Sequence, residues 1–571
     1  MKKFRTILCI LLAVAMVLSF AACGKKTDDK APADDAADNK PADNKPADDG
    51  GDDAADTPEY PEEMLPDPDI APNALLMMSS VDEYLNRPHE IQPGTELTFH
   101  TNDVPAQTPW NATAEVWLLP NIYEGLLVSY MGKSDDIRPL IAESYTYSDD
   151  FLTWTFQIRQ GIKFTDGTSL DAKAICKAWD FYHEVSPASF NNVNFEKWEA
   201  TGDFEVTCTL SAPCSYFENT LTRLYILSPT AMEEFGPNDN RAAVGTAPYY
   251  ITDYVAGVGF EFKANPNYYF YDRMPVIETI KYQIISDENT KLMAMLNGDL
   301  DGYTFTSIES YYNLQEYEFD GILLESYGNC DPLFLNAKSV PEFQIFEVRK
   351  AINRFIDLEA LNEILYDGKG LVQQSLWSVD SSGEVPWPEG FYYDEAEGLE
   401  LMAQGGIDPA SMHFAAKIID TGADYFVTVQ GQLAKVGIQM EVEPLEPEAN
   451  FTFLKNGDYT ITAGNSGYAD SSPYGPWTFI LLPEHLIKEV WTDIYDPDLY
   501  AEMCDTYVAM TSAPLWDEML ENCHKLTDLL QRDYGAMPGL QKPYYAAFRK
   551  DIKNVILITE NHSLLWFYMY L

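Results

Sequence analysis

TWTFQIRQGIKFTDGTSLD, Thr153 to Asp171, is the stretch on which the fold turns. Trp154, Phe156 and Ile158 alternate with Thr155, Gln157 and Arg159, the period of a strand with one buried face. Gly161 breaks that strand, and Ile162 and Phe164 start a second short run. Asp166-Gly167 then supplies a tight turn. Thr168 or Ser169 is placed to cap a helix that carries Ile175, Cys176, Trp179 and Tyr182 on one face. The local physics predicts strand, turn, strand and capped helix.

The chain around it continues in the same mixed style. Leu97 to Phe99 reads as a first strand, and Thr207 to Pro229 alternates strand-like and polar pieces. Phe260 and Phe262 suggest a hairpin arm after GTAPYYITDY, and Ile280, Tyr282 and Ile284 form another alternating strand. Asp287 to Asn297 reads as a helix with Leu292, Met295 and Leu296 inward, ended by Asn297-Gly298. Further on, Val348 to Tyr366 reads as one helix stopped by Asp367-Gly368. A helix over Asp424 to Val436, a break at Gly437 and a strand through Ile438, Met440 and Val442 have the succession a βαβ crossover needs. Strands alternating with helices argue for α/β lobes.

In this order, NIYEGL (Asn121 to Leu126), PLIAESY (Pro139 to Tyr145) and RQGIKFTDGTSLDA (Arg159 to Ala172) closely resemble the signature of the extracytoplasmic solute-binding proteins of peptide-type ABC importers, family 5. The resemblance runs on through VGTAPYY (Val244 to Tyr250), NPNYY (Asn265 to Tyr269), LNGDLD (Leu296 to Asp301), EVRKAINRFID (Glu347 to Asp357) and YADSSP (Tyr468 to Pro473), and covers Leu97 to Leu571. It implies a periplasmic-binding-protein type II-like fold, two α/β lobes with a hinge plus a small inserted subdomain beside the first lobe. The expected boundaries are residues 95–123, 245–322 and 546–571 for lobe I, 124–244 for the insertion and 323–545 for lobe II, with chain crossings near Leu323 and Ala546. One departure is Thr108, where the family usually has the Asp of a Leu-Asp-Pro turn.

Bulk properties agree with more than one lobe. A chain of 571 residues, 46% hydrophobic and 13% aromatic, exceeds a single compact core. A formal charge of -53 repels phosphate and argues against nucleic acid. The stretch from Gly24 to Glu63 holds 14 acidic residues against 5 lysines, so most of that charge belongs to the rest of the chain, where it serves solubility and favours cationic ligands.

At the front, Lys2, Lys3 and Arg5 precede an apolar run from Ile7 to Ala22, an export signal in charge and length. The run is shorter than the roughly 20 residues a membrane span needs. Ala21-Ala22-Cys23-Gly24 resembles a bacterial lipobox, with Phe20 where Leu is usual, and implies thioether lipidation of Cys23 after removal of residues 1–22. An uncleaved anchor or a plain secreted protein is the alternative. Residues 23–73 are rich in Asp, Ala, Pro, Lys and Asn without apolar period and read as a disordered acidic tether. Six cysteines follow Cys23 without metal-ligand spacing, and a Cys208-Cys214 disulfide is a minor option.

Enzyme motifs fail on inspection. Gly132-Lys133-Ser134 ends like a phosphate loop, but Leu127 stands where the first glycine is required. Gly464-Asn465-Ser466-Gly467 has the look of a nucleophile elbow, with Tyr468 at the second glycine. His89-Glu90 and His183-Glu184 lack a second histidine for zinc. No cofactor or metal is expected.

The remaining candidate is GNSGYADSSPYGPW, Gly464 to Trp477, a Gly/Ser/Pro loop after the apolar run Tyr459 to Ala463, where open α/β sheets bind ligands. Asp470 is its one charge. In the peptide-binding relatives, the acid of a similar aromatic-Ala-Asp motif pairs with the ligand's α-amino group. Tyr468 stands for the relatives' Trp, and Tyr468 and Trp477 would wall the ligand. Asp470 capping a turn is equally open. The resemblance implies a monomeric, lipid-anchored receptor on the outer face of the cytoplasmic membrane that passes a peptide to an ABC permease. An oligosaccharide or other solute, a surface hydrolase, and a non-transporting sensor or adhesin are the alternatives.

Overall fold

The computed structural model describes residues 60–68, 80–101, 118–132, 136–186, 193, 195–237, 239–255, 257–377, 384–419, 423–445, 459–463, 496–558 and 563–571. All of them lie in one compact unit, Tyr60–Leu571. Residues 60–68 fall inside the span read as tether, yet they pack on the body. Met64 is buried with Leu140, Tyr268 and Phe270, and the Tyr60 and Tyr271 rings are 4.6 Å apart. Asp67 pairs with Arg138 at 3.0 Å and Glu63 with Arg159 at 3.7 Å. The few apolar residues at this end of an otherwise polar stretch are what make docking favourable.

The chain then enters β1 (Gln92–Thr101), longer than its apolar core of Leu97 and Phe99 suggested. Next comes an insertion: β2 (Ala142–Tyr147), β3 (Thr153–Ile158), α1 (Ala172–Val185), β4 (Phe195–Gly202) and β5 (Glu205–Leu210), followed by α2 (Phe217–Arg223). The four strands form an antiparallel sheet in the order β2-β3-β5-β4. Trp154, Phe156 and Ile158 of β3 are buried, as their alternation requires, and Ile175, Trp179 and Tyr182 of α1 are buried with them.

Two details differ from the sequence reading. The second short strand shrinks to a single bridge between Lys163 and Ser169. The cap of α1 is Asp171, whose carboxylate accepts from Ala174 N at 2.8 Å, while Thr168 donates its hydroxyl to Asp166 and is thereby occupied in the turn. Cys208 and Cys214 are both buried free thiols, so the disulfide option falls.

After the insertion, β6 (Tyr249–Val255), β7 (Gly259–Ala264) and β8 (Ile277–Ile284) complete the first lobe's sheet, ordered β1-β8-β7-β6 with β1 and β8 parallel. The helix α3 (Glu288–Asn297) follows, capped by Asp287 and ended by Gly298 at φ 79°, then β9 (Gly302–Phe305) and the long β10 (Gly321–Cys330).

The second lobe opens with β11 (Leu333–Leu335), α4 (Phe346–Phe355) and α5 (Leu358–Tyr366). The single helix expected over Val348 to Tyr366 is thus two. Gln432 explains the break, because its side chain accepts from Asp357 N and donates to Asp357 O while Asp357 caps α5 through Ala360 N. The βαβ crossover is present: β12 (His413–Ile419), α6 (Ala423–Lys435) and β13 (Gln439–Leu445), with β12 and β13 parallel. Then come β14 (Ile461–Ala463), α7 (Pro497–Ser512), α8 (Trp516–Asp533) and β15 (Ala536–Met537), with β14 and β15 flanking β11.

The chain returns through β16 (Leu540–Arg549), which lies between β9 and β10. One apolar core, around Phe262, Phe548 and Trp566, belongs to the first lobe. Another runs without interruption from the inserted sheet into the second lobe, and Ser215 N donates to Ala513 O at 2.9 Å where they meet. The insertion therefore touches both lobes, not the first alone. No helix among the described residues is long and apolar enough to cross a membrane.

Candidate functional site

The signature residues that identify the fold in the sequence turn out to hold it together. Asn121 donates to Leu564 O at 2.9 Å and accepts from Trp566 N at 3.0 Å, pinning the C-terminal segment. The Glu124 carboxylate is wholly buried, paired with Arg273 at 3.2 Å and accepting from Tyr268, Tyr269 and Thr246 hydroxyls. Burial, reinforced by that carboxylate, holds the Tyr268 and Tyr269 phenols well above their ordinary range, so both remain donors. Gly125 lies under the backbone of α2, where a Cβ would sit 2.1 Å from Leu221 O.

The LNGDLD motif does similar work at the opposite edge of the sheet. Asp301 exchanges bonds with Thr98, its N donating to Thr98 O and its carboxylate accepting from Thr98 N, both at 2.7 Å, and it also pairs with Arg549. One side chain thereby ties β1, β9 and β16. Gly302 follows because a Cβ there would stand 2.6 Å from the Phe99 ring.

That junction borders a half-open cavity of about 260 Å³ at the C-terminal ends of β1 and β9, the end of an α/β sheet where ligands bind. Its polar wall is His100 and Thr101 of β1, Glu288 and Lys291 of α3, Thr304 of β9, and Thr306. The Asp287 cap fixes the first turn of α3, which sets Glu288 and Lys291 one turn apart. Lys291, its side chain 3% exposed, lies 2.6 Å from Glu288, and Tyr303 donates to the same carboxylate at 2.6 Å.

His100 is buried between the two strands. Its Nε2 sits 3.1 Å from Thr304 O and 3.3 Å from Thr304 N, so the ring replaces a ladder contact between β1 and β9. Among the described residues its Nδ1 has no hydrogen-bond partner. Burial first, and then the Lys291 charge, lower the imidazole to about 4, and the ring is neutral at ordinary pH.

The residues singled out from the sequence, Asp470, Tyr468 and Trp477, and the lipidation candidate Cys23, lie outside the described residues. The apolar run before the loop is a strand, β14, paired antiparallel with β11. His100, Lys291 and Thr304 carried no sequence signal beyond position: His100 stands at the end of a strand, and Lys291 sits one turn from an acid.

The profile of the family described as bacterial extracellular solute-binding proteins, family 5 Middle, matches residues 136–484, more than half of the chain. The glutathione-binding protein GsiB of Shigella flexneri is 28% identical over 362 residues, which is 59% of this chain and 66% of that protein, so the chain spans just under two thirds of this relative's length. Among solved structures, NikA from Brucella suis in complex with Fe(III)-EDTA aligns with a TM-score of 0.72 at 19% identity, covering 83% of this chain and 99% of that one. DppA from Helicobacter pylori in complex with the peptide STSA aligns with a TM-score of 0.65 at 19% identity, covering 83% and 98%. At such identities the structural likeness speaks for the fold.

Proposed function

Because the chain belongs to the bacterial extracellular solute-binding proteins of family 5, we propose that it is the lipid-anchored receptor of an ABC importer, capturing a peptide between its two lobes and delivering it to the membrane permease. The family assignment carries this reading and supports a binder over an enzyme. The mechanism is hinge closure: contacts from both lobes favour the closed state, which the permease recognises. Cys23 supplies the lipid attachment, and residues between it and Tyr60 supply the reach.

Peptide is preferred over other solutes for two reasons. The glutathione-binding relative and the peptide-bound structural neighbour support a ligand with an amide backbone. An extended backbone also pairs with strand edges whatever its side chains, and Asp470 then holds the free amino terminus. Mass spectrometry of small molecules released from protein purified without added ligand tests the class directly. Peptides in the released fraction, rebinding in calorimetry, are the expected result. A sugar or a metal chelate in their place would move the receptor to another ligand class.

A further inference from the structure

We propose that Tyr312 and Asp367 form a latch that favours the open cleft, so that affinity for the captured solute is set in part by two residues that do not touch it. The inference rests on the hinge-closure reading above and goes beyond it by naming the contact that closure has to break.

The chain passes toward residues 333–537 through β10 and returns through β16, and the ladder between them is interrupted at one place. Tyr327 pairs with Pro543 and Cys330 with Gln541, so β10 carries one residue more than β16 over that interval. Pro543 brings no N–H to the ladder, and the ribbon bends there at least cost. Before the interruption stands the helix Ile308–Glu316, whose Tyr311 donates to Glu325 of β10 and stacks on Tyr545 of β16 at 4.5 Å. Beyond it stand residues 367–370, which follow α5 and lead into Leu371 and Val372, paired with Gln541 and Leu540.

The two sides meet across the bend. Tyr312 donates its hydroxyl to the Asp367 carboxylate. Lys369 Nζ stands 3.8 Å from Glu325 and 5.4 Å from the centre of the Tyr311 ring. Asp367 ends α5 at φ 49°, a left-handed conformation that glycine would adopt at less cost. The carboxylate is what glycine lacks, and the contact with Tyr312 is what that carboxylate makes.

The face of the ribbon decides what the latch does. Tyr544 and Tyr545 are consecutive on β16 and so point to opposite faces. Tyr544 lines the cavity together with Phe99, Tyr282 and Phe548, all in the first lobe's core, whereas Tyr545 lies in a separate core with Tyr311 and Leu314. The latch is therefore on the face turned away from most of the cavity wall. Bending that closes the cleft over a guest shortens the cavity face and stretches the other, drawing Tyr312 from Asp367 and Lys369 from Glu325. A ligand has to supply that free energy, and its apparent affinity falls accordingly.

The test is calorimetry with a penta-alanine peptide on the full chain, Tyr312→Phe, Asp367→Asn and the double variant. Both residues are exposed, and Asn tolerates the left-handed conformation, so circular dichroism should show the fold retained. Each single variant should bind the peptide roughly 2- to 10-fold more tightly, the range for one exposed hydrogen bond to a charged group. The double variant should bind no more tightly than either, because both changes break the same contact. Tyr317→Phe, 60% exposed at the end of the same helix, should leave affinity unchanged. Ligand-free Tyr312→Phe should also have a smaller radius of gyration in small-angle scattering. Damage to packing weakens binding or leaves it alone, so a gain in affinity separates the latch from a merely structural contact. Equal or weaker binding by the variants overturns the latch and leaves the peptide reading standing. If penta-alanine binds none of the proteins, the peptide reading falls, and the ligand-free radius decides: unchanged in Tyr312→Phe, it overturns the latch as well, and smaller, it supports it.

Discussion

Leu324 of β10 and Ala546 of β16 stand directly opposite each other in an antiparallel ladder. These strands carry the chain toward and back from residues 333–537, and they run side by side, hydrogen-bonded to one another. Beyond them the register shifts between Tyr327 and Cys330, leaving an extra residue on β10 next to Pro543, which has no N–H to give the ladder. A bulge beside a proline is where such a ribbon bends most easily. Small-angle scattering should therefore show a smaller radius of gyration on addition of a calorimetrically confirmed ligand. An unchanged radius at saturation would remove hinge closure from the mechanism.

Glu124→Ala should cost about 3 to 5 kcal/mol, since Arg273 would be left as an uncompensated buried charge and three hydroxyls would lose their acceptor. Urea denaturation measures it. A loss below about 1 kcal/mol would mean that the motif's acid is not the structural centre the geometry makes it.

His100 gives stability a pH dependence of known sign. Its folded value is lowered from 6.5 to about 4, so the native state binds fewer protons than the unfolded chain between those values. The contribution is fully present above the unfolded value and is lost as pH falls toward about 4, amounting to about 2 kcal/mol between pH 7 and 5. His100→Gln should show a correspondingly smaller drop over that interval. His89, also lowered to about 4, is present in both proteins and cancels. Equal drops in the two proteins would contradict the assignment.

Asp470→Asn keeps shape and removes charge. If this residue holds the ligand's amino terminus, the variant should weaken a free-amine peptide roughly 30-fold or more, the typical cost of stranding a desolvated charge. An N-acetylated analogue should lose little further. Equal binding of free and acetylated peptides by the unaltered protein would sink the amine anchor.

The elements that could be read from the sequence are those whose partners are local. The alternation of Trp154, Phe156 and Ile158, the αL stop at Asp367-Gly368 and the α6-Gly437-β13 succession all depend on neighbours a few residues away. What escaped depends on contacts across the chain. The break at Asp357 is imposed by Gln432 from another helix, and the register of His100 against Thr304 joins strands about two hundred residues apart. Motif residues such as Glu124 and Asp301, which marked the family resemblance in the sequence, are each taken up by the scaffold. The cavity residues are ordinary types at ordinary spacing, and only the fold gathers them.

The docked stretch from Tyr60 to Pro68 determines where a recombinant chain can safely be trimmed. Starting expression near Ala74, at the apparent end of the polar leader, would strip Met64 from Leu140, Tyr268 and Phe270 and leave Arg138 and Arg159 without Asp67 and Glu63. Burial of one methionine is worth about 1.5 to 3 kcal/mol, and the uncovered rings would offer neighbouring molecules a sticky face. A chain begun at Tyr60 should stay monodisperse in light scattering, whereas one begun at Ala74 should melt lower and self-associate as its concentration rises.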